Sequence, residues 1–170
     1  MVILCLVLLL IIIVITLSIM YISAYNKINV YKIKMDTANN IITESLQKKL
    51  KLMNSLSTLI KKVIKKKDYL KEFNSLQNKE LSNYELDIEL NTHLTTMIAF
   101  KEDYKELKTE EFNQIIEEIK ELDQTIAANK KFFNKNNNWL IKNLKGYIKV
   151  VAKLNNISIK NSFEIKEPKK

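Results

Sequence analysis

EFNQIIEEIKELDQTIAANKKFFN, residues 111–134, decides how the rest of the chain is read. Phe112, Ile115, Ile119, Leu122, Ile126, Asn129 and Phe133 follow one another at steps of three and four. Those steps place side chains on one face of an α-helix, whereas a strand would alternate in twos. Thr109, followed by Glu110 and Glu111, supplies a cap and acids suited to the positive end of the helix dipole. Glu117, Glu118 and Glu121 with Lys120 read as the solvated opposite face. NKNNN, residues 134–138, is expected to end the helix, because Asn favours turns and helix termini over helix interiors.

The same spacing recurs upstream. Ile28, Tyr31, Met35, Ala38, Ile42, Leu46, Lys49, Met53, Leu56, Ile60 and Val63 make a stripe that only Lys49 breaks. Neither Gly nor Pro interrupts it, so one helix is expected to reach Val63–Lys66. Asp68 could cap a second helix over Tyr69–Leu81, and Ser82 or Asn83 a third carrying Leu86, Leu90, Leu94, Met97 and Ile98. After NKNNN, Trp139, Leu140, Leu144, Ile148 and Val151 suggest a short amphipathic helix, and the Lys-rich end with Pro168 is expected to fray.

One Gly and one Pro in 170 residues leave little material for tight turns or β-architecture. The expected fold class is all-α: an N-terminal transmembrane helix continuing into an antiparallel four-helix bundle, with a long antiparallel coiled coil as the alternative. The expected division is an anchor at 1–24, a bundle domain at 25–137, and a short helix with a tail at 138–170.

Val2 to Ile22 carry no charge, and at ~1.5 Å per residue Ile3 to Ile22 span ~30 Å, the thickness of a bilayer's hydrocarbon core. A cleaved signal peptide would have a basic start, a shorter apolar run and a small residue where Ile22 stands. The stretch therefore reads as a retained anchor, with Tyr21 and Tyr25 at the interface. Lys27, Lys32 and Lys34 follow it directly, and the positive-inside rule then puts the domain in the cytoplasm and the N-terminus outside. All 28 basic residues are Lys and the formal net charge is +9. That balance suits an anionic surface: a membrane, or an acidic ligand. Cys5 stands alone inside the apolar run, so no disulfide is expected.

With its helices placed, the chain resembles the LemA family of single-span bacterial membrane proteins. Tyr25 and Asn26 match the family's Tyr-Asn after the anchor, and Ala38, Ile42, Leu46, Lys48 and Lys49 match its next positions. EDYKELK, residues 102–108, is similar to the family's Glu-x-Tyr-Pro-x-Leu-Lys through Glu102, Tyr104 and Leu107, with Lys105 in place of Pro. Phe112 continues the match, and Asp123, Ile126, Ala127, Lys130, Phe133 and Asn134 stand in the register of a last motif. The family's Asp-Leu-Ile-Pro-Asn is replaced by Lys51–Ser55. The resemblance implies an anchored helical bundle with a cytoplasmic domain and supplies no reaction.

His93 is the only His and lacks Cys, His or acid partners at zinc-binding spacing, so it reads as a surface residue. Glu85, Asp87 and Glu89, two apart on a helix, do not converge. With one Gly there is no phosphate-binding loop, and no Glu-x-x-His pair suits a bundle metal site. No catalytic residue, metal or cofactor is expected. The expected function is a non-enzymatic interaction or scaffold module at the membrane, with a protein partner or self-association. The alternative is a tethered module binding nucleic acid or another anionic ligand through its lysines. The most basic segment, residues 61–71, has no Arg and few aromatics, which disfavours nucleic acid. If the last long helix returns toward the membrane, Trp139, Lys142, Lys145, Lys149 and Lys153 offer a second contact, with anionic lipid; the alternative is a short helix that only covers the open end of the bundle.

Overall fold

A computed structural model describes residues 2–64, 68–76 and 79–163. Lysines 65–67 and the Lys-rich end with Pro168 lie outside them. Every element among the described residues is helical: α1 (Val2–Val63), α2 (Asp68–Ser75), α3 (Asn83–Asp103), a 3-10 turn (Lys105–Leu107), α4 (Glu110–Asn143) and α5 (Gly146–Leu154). The all-α class is as the stripes predict. Contacts group the chain into two compact units, one from Met1–Ala38 with Phe132–Glu164, the other built on Asn39–Lys131. The boundaries expected at 24/25 and 137/138 both fall inside unbroken helices, α1 and α4.

In the unit built on Asn39–Lys131, side-chain bonds fix the helix directions. Asn83 donates to Thr43 Oγ1 at 2.7 Å, and Lys49 Nζ donates to Asn91 Oδ1 at 2.7 Å, so α1 and α3 run parallel. Asp87 meets Lys130 and Lys49 meets Asp123, so α4 runs against both. The stripes meet in a core of Ile42, Leu46, Met53, Leu56, Ile60, Phe73, Leu90, Met97, Phe112 and Ile119, each at most 1% exposed. Burying each such side chain contributes ~1.5–3 kcal/mol, which is what makes helices that are marginal alone stable together.

The caps explain why the helices begin where they do. Ser82 accepts from the Glu85 N–H and its own N–H donates to the Glu85 carboxylate, a reciprocal box at the start of α3. The Ser82 side chain, and then its backbone N–H, hold the Glu85 carboxyl below its ordinary pKa. Thr109 Oγ1 accepts from the Phe112 N–H and opens α4. Helix α2 is shorter than the span expected, ending at Ser75, where the Ser75 hydroxyl turns back to the Glu72 carbonyl at 2.7 Å.

In the other unit, Ala24, Ile28, Met35 and Ala38 of α1 share one core with Phe133 and Leu140 of α4, Val151 and Ala152 of α5, and Ile157. Here NKNNN corrects the sequence reading: it lies inside α4, which continues to Asn143. The physical reason is a partner far along the chain. Asn134 donates to the Phe163 carbonyl at 2.7 Å and accepts from its N–H at 2.8 Å. Asn137 treats Lys160 the same way, at 2.6 and 3.3 Å. Both amides pair with an extended stretch of backbone as a neighbouring strand would, so they do not compete for the helix's own groups. Lys160 also reaches Asp36 at 2.6 Å, closing the segment onto α1.

Ile119 is fully buried on the α4 stripe. Ile119→Asp would bury an unpaired carboxylate and is expected to cost several kcal/mol, most of a domain's margin. Circular-dichroism melting of the detergent-solubilised chain reads this; an unchanged melting temperature would place Ile119 in solvent.

Candidate functional site

A chain of polar groups links α1, α3 and α4 in the unit built on Asn39–Lys131; Lys49, Asp87 and Lys130 are buried, Asp123 is half-buried and Asn91 is exposed. Lys49, 0% exposed, donates to Asp123 Oδ1 at 2.5 Å and to Asn91 Oδ1 at 2.7 Å. Asn91 Nδ2 passes the chain to Asp87 Oδ1 at 3.3 Å, and Lys130 Nζ closes it on Asp87 Oδ2 at 2.5 Å. Three helices each contribute: α1 through Lys49, α3 through Asp87 and Asn91, α4 through Asp123 and Lys130. The two cations are matched by two carboxylates, and the central amide satisfies one of each pair. Such an array costs desolvation but fixes which helix faces meet, because any slip leaves a charge buried alone.

Its position follows from a heptad pattern in α4. Phe112, Ile119, Ile126, Phe133 and Leu140 recur every seven residues and are all buried. Ile116, Asp123, Lys130 and Asn137 interleave with them at the same period. The inward face thus runs through Lys130 rather than Asn129, which is half-buried and donates to the Thr125 carbonyl at 2.9 Å. In the sequence Lys49 reads as a gap in its stripe, Asp87 reads only as one of three acids that do not converge, and nothing singles out Asn91. The available signal was a lysine at a core position of one helix facing two aspartates at core-edge positions of others.

His93 corrects a second expectation. It is buried, 8% exposed, with its ring edge-on to Phe73 at 5.6 Å between centroids. Nε2 lies 3.9 Å from Glu89 Oε2. Burial depresses its pKa from the ordinary 6.5; Lys79 adds to this, while Glu89 and Glu72 oppose it. Among the described residues no group of three His, Cys, Asp or Glu side chains gathers to hold a metal ion.

The residues singled out by the family resemblance take distinct structural places. Ala38, Ile42, Leu46, Leu107, Phe112, Ile126 and Phe133 are core. Tyr25 is half-buried, while Asn26 and Glu102 are exposed, Glu102 lying 3.9 Å from Lys108. Asp123 and Lys130 belong to the charge array, and Asn134 fastens the extended segment. Tyr104 ends α3 in an extended conformation, φ −120° and ψ 110°. That is the region a following proline imposes, at the position where this chain has Lys105.

Trp139 does not stand open. Its ring stacks on Tyr31 at 3.7 Å with the planes 1° apart, and Lys27 lies over it at 5.4 Å. Lys34 covers the Tyr31 ring at 5.2 Å, so the two rings are flanked by cations. Lys142, Lys145, Lys149 and Lys153 are exposed. A groove of about 500 Å³ in the unit built on Asn39–Lys131 runs past Lys48, Lys51, Leu52, Glu118, Glu121 and Leu122. Its walls alternate in charge, so it presents no single-signed field to a ligand. Of the basic segment 61–71, lysines 65–67 lie outside the described residues.

Asp123→Ala leaves Lys49 buried with one neutral partner and is expected to lower stability on the order of 2–3 kcal/mol. Adding Lys49→Met should recover most of it, because an apolar chain then fills the stripe. Urea titration of the chain in detergent decides the order; a double variant less stable than the single would contradict it. For His93, the depressed pKa means the unfolded chain binds a proton more readily than the folded one. Stability is therefore complete above about 6.5, the unfolded value, and falls as pH drops below it toward the folded pKa. Melting temperatures between pH 7.5 and 5 should show that fall, and His93→Gln should flatten it; equal slopes would contradict the assignment.

No protein-family model, curated protein or solved structure matches this chain.

Proposed function

We propose that this chain is a LemA-like, single-pass protein of a bacterial cell membrane, whose helical domains hang in the cytoplasm as a non-enzymatic docking or scaffold module. The observation that carries the reading is the continuity of α1. Its first twenty-odd residues are uncharged and exposed throughout, with a mean hydropathy of 3.5 over an 18-residue window and none of that window buried. The same helix then passes without a break into packed core at Ala24 and Ile28. Water would have to hydrate a bare apolar rod; a bilayer removes that cost. Lys27, Lys32 and Lys34 immediately beyond it support an inward-facing domain.

The LemA likeness is supported by where the matched polar residues fall. Lys49, Asp123, Lys130 and Asn134 are interior fasteners, and Tyr104 keeps the backbone of a pre-proline residue. Positions of that kind hold a fold in register, which suits a bundle serving as a platform.

Protease added to intact cells is expected to leave residues 25–170 whole, and lysis should make them cleavable. Digestion of the domain before lysis would reverse the orientation. Loss of the protein from the membrane fraction altogether would remove the anchor.

A further inference from the structure

Helix α5 has an apolar surface that none of the described residues covers. It starts at Gly146, the only glycine in the chain, whose φ of +53° lets the backbone turn sharply out of α4. It ends in a motif with Asn156 at φ +52°, the Asn156 N–H bonded to the Lys153 carbonyl and the Ile157 N–H to Ala152 at 2.9 Å. Two tight turns thus confine a nine-residue helix, and its neighbours fix the level at which it lies. Lys160 ties Asn137 to Asp36, and Trp139 stacks on Tyr31, so α4 descends against α1. Leu144 is five residues further on, ~7 Å nearer the start of α1. At the other end of α5, Asn155 Nδ2 donates to Tyr21 Oη at 3.0 Å. Tyr21 belongs to the last turn of the uncharged stretch.

Around α5, Val151 and Ala152 are buried, Ile148 is half-buried, and Tyr147, Val150 and Leu154 are 51%, 58% and 69% exposed. At ~100° per residue these six residues occupy an arc of roughly 200°, about twice what a surface helix needs to reach its core. The uncovered half is Tyr147, Val150 and Leu154. Lys149 and Lys153 flank it, and Lys142 and Lys145 precede it, all exposed.

We propose that α5 is an interfacial helix. Tyr147, Val150 and Leu154 lie in the headgroup–acyl boundary of the membrane that Ile3–Ile22 crosses, and the lysines around them reach anionic headgroups. This inference rests on the membrane-spanning reading of α1. The bond from Asn155 to Tyr21 carries the argument, because it holds the patch beside the end of the span, where lipid is the nearest apolar phase. A second copy of the chain is a poorer occupant: a two-fold contact through this patch would set lysines against lysines. The contact expected of Trp139 therefore moves to α5, since the indole is already held between Tyr31 and Lys27.

The full chain with Cys5→Ser, which removes its one native thiol, accepts single nitroxide labels through Ile12→Cys, Val150→Cys, Leu154→Cys or Ile159→Cys. Each is reconstituted into nanodiscs of phosphatidylcholine and phosphatidylglycerol. Accessibility to oxygen is then compared with accessibility to a water-soluble nickel chelate. Ile159, exposed beside the Lys160–Asp36 pair, is the water reference, and Ile12 reports the span. The expected result is an oxygen-to-nickel ratio at 150 and 154 several-fold above that at 159, approaching that at 12. A water-like ratio at 150 and 154 with a lipid-like ratio at 12 overturns this inference and leaves the span standing. A water-like ratio at 12 overturns both. Spin–spin broadening at 154 that vanishes on dilution with unlabelled protein assigns the patch to a second copy instead.

Discussion

An apolar helical stretch that the described residues leave exposed sets the terms for everything downstream. Among the described residues Val2–Ile22 stays exposed, and α1 runs on from it unbroken to Val63. From Ala24 the helix changes from exposed on every side to buried along one stripe. That change is where lysines enter the sequence and where the rest of the chain begins to pack. Helices α3 and α4 are oriented by what α1 offers them: parallel for α3, opposed for α4.

Within this apolar scheme the buried charges do a separate job. Leucines and isoleucines at three-four spacing specify that helices associate, yet they tolerate a slip of one turn. Lys49, Asp87, Asn91, Asp123 and Lys130 do not, since each has its partner at one register only. Asn134 and Asn137 act likewise in the other unit, holding residues 160–163 against α4 by amide pairs that a shifted segment could not form. Polar side chains thus set the register of an interior whose cohesion is apolar.

This division also explains what could be read from sequence. Helix α4 from Phe112 to Phe133, the caps at Ser82 and Thr109, and the run of α1 to Val63 depend on neighbours within four residues, and local spacing reveals them. Asn134 and Asn137 read as helix-ending residues because their partners, Phe163 and Lys160, lie more than twenty residues away. An Asn with a distant backbone partner looks the same in sequence as one that ends a helix. Lys49 looked like a defect in its stripe for the same reason, and His93 looked exposed because nothing local announces Phe73 beside it. The family-like positions were legible as a pattern, but their roles as core, ion pair or fastener became visible only in three dimensions.

Extraction of membranes at alkaline carbonate pH addresses the central claim most directly. Alkaline carbonate strips proteins held only by surface charge or by a peripheral helix such as α5, and leaves those that cross the bilayer. With α1 spanning, the full chain should remain in the membrane pellet after the wash. Its release into the supernatant would contradict the account, because Val2–Ile22 would then be lying on the membrane or covered by another protein.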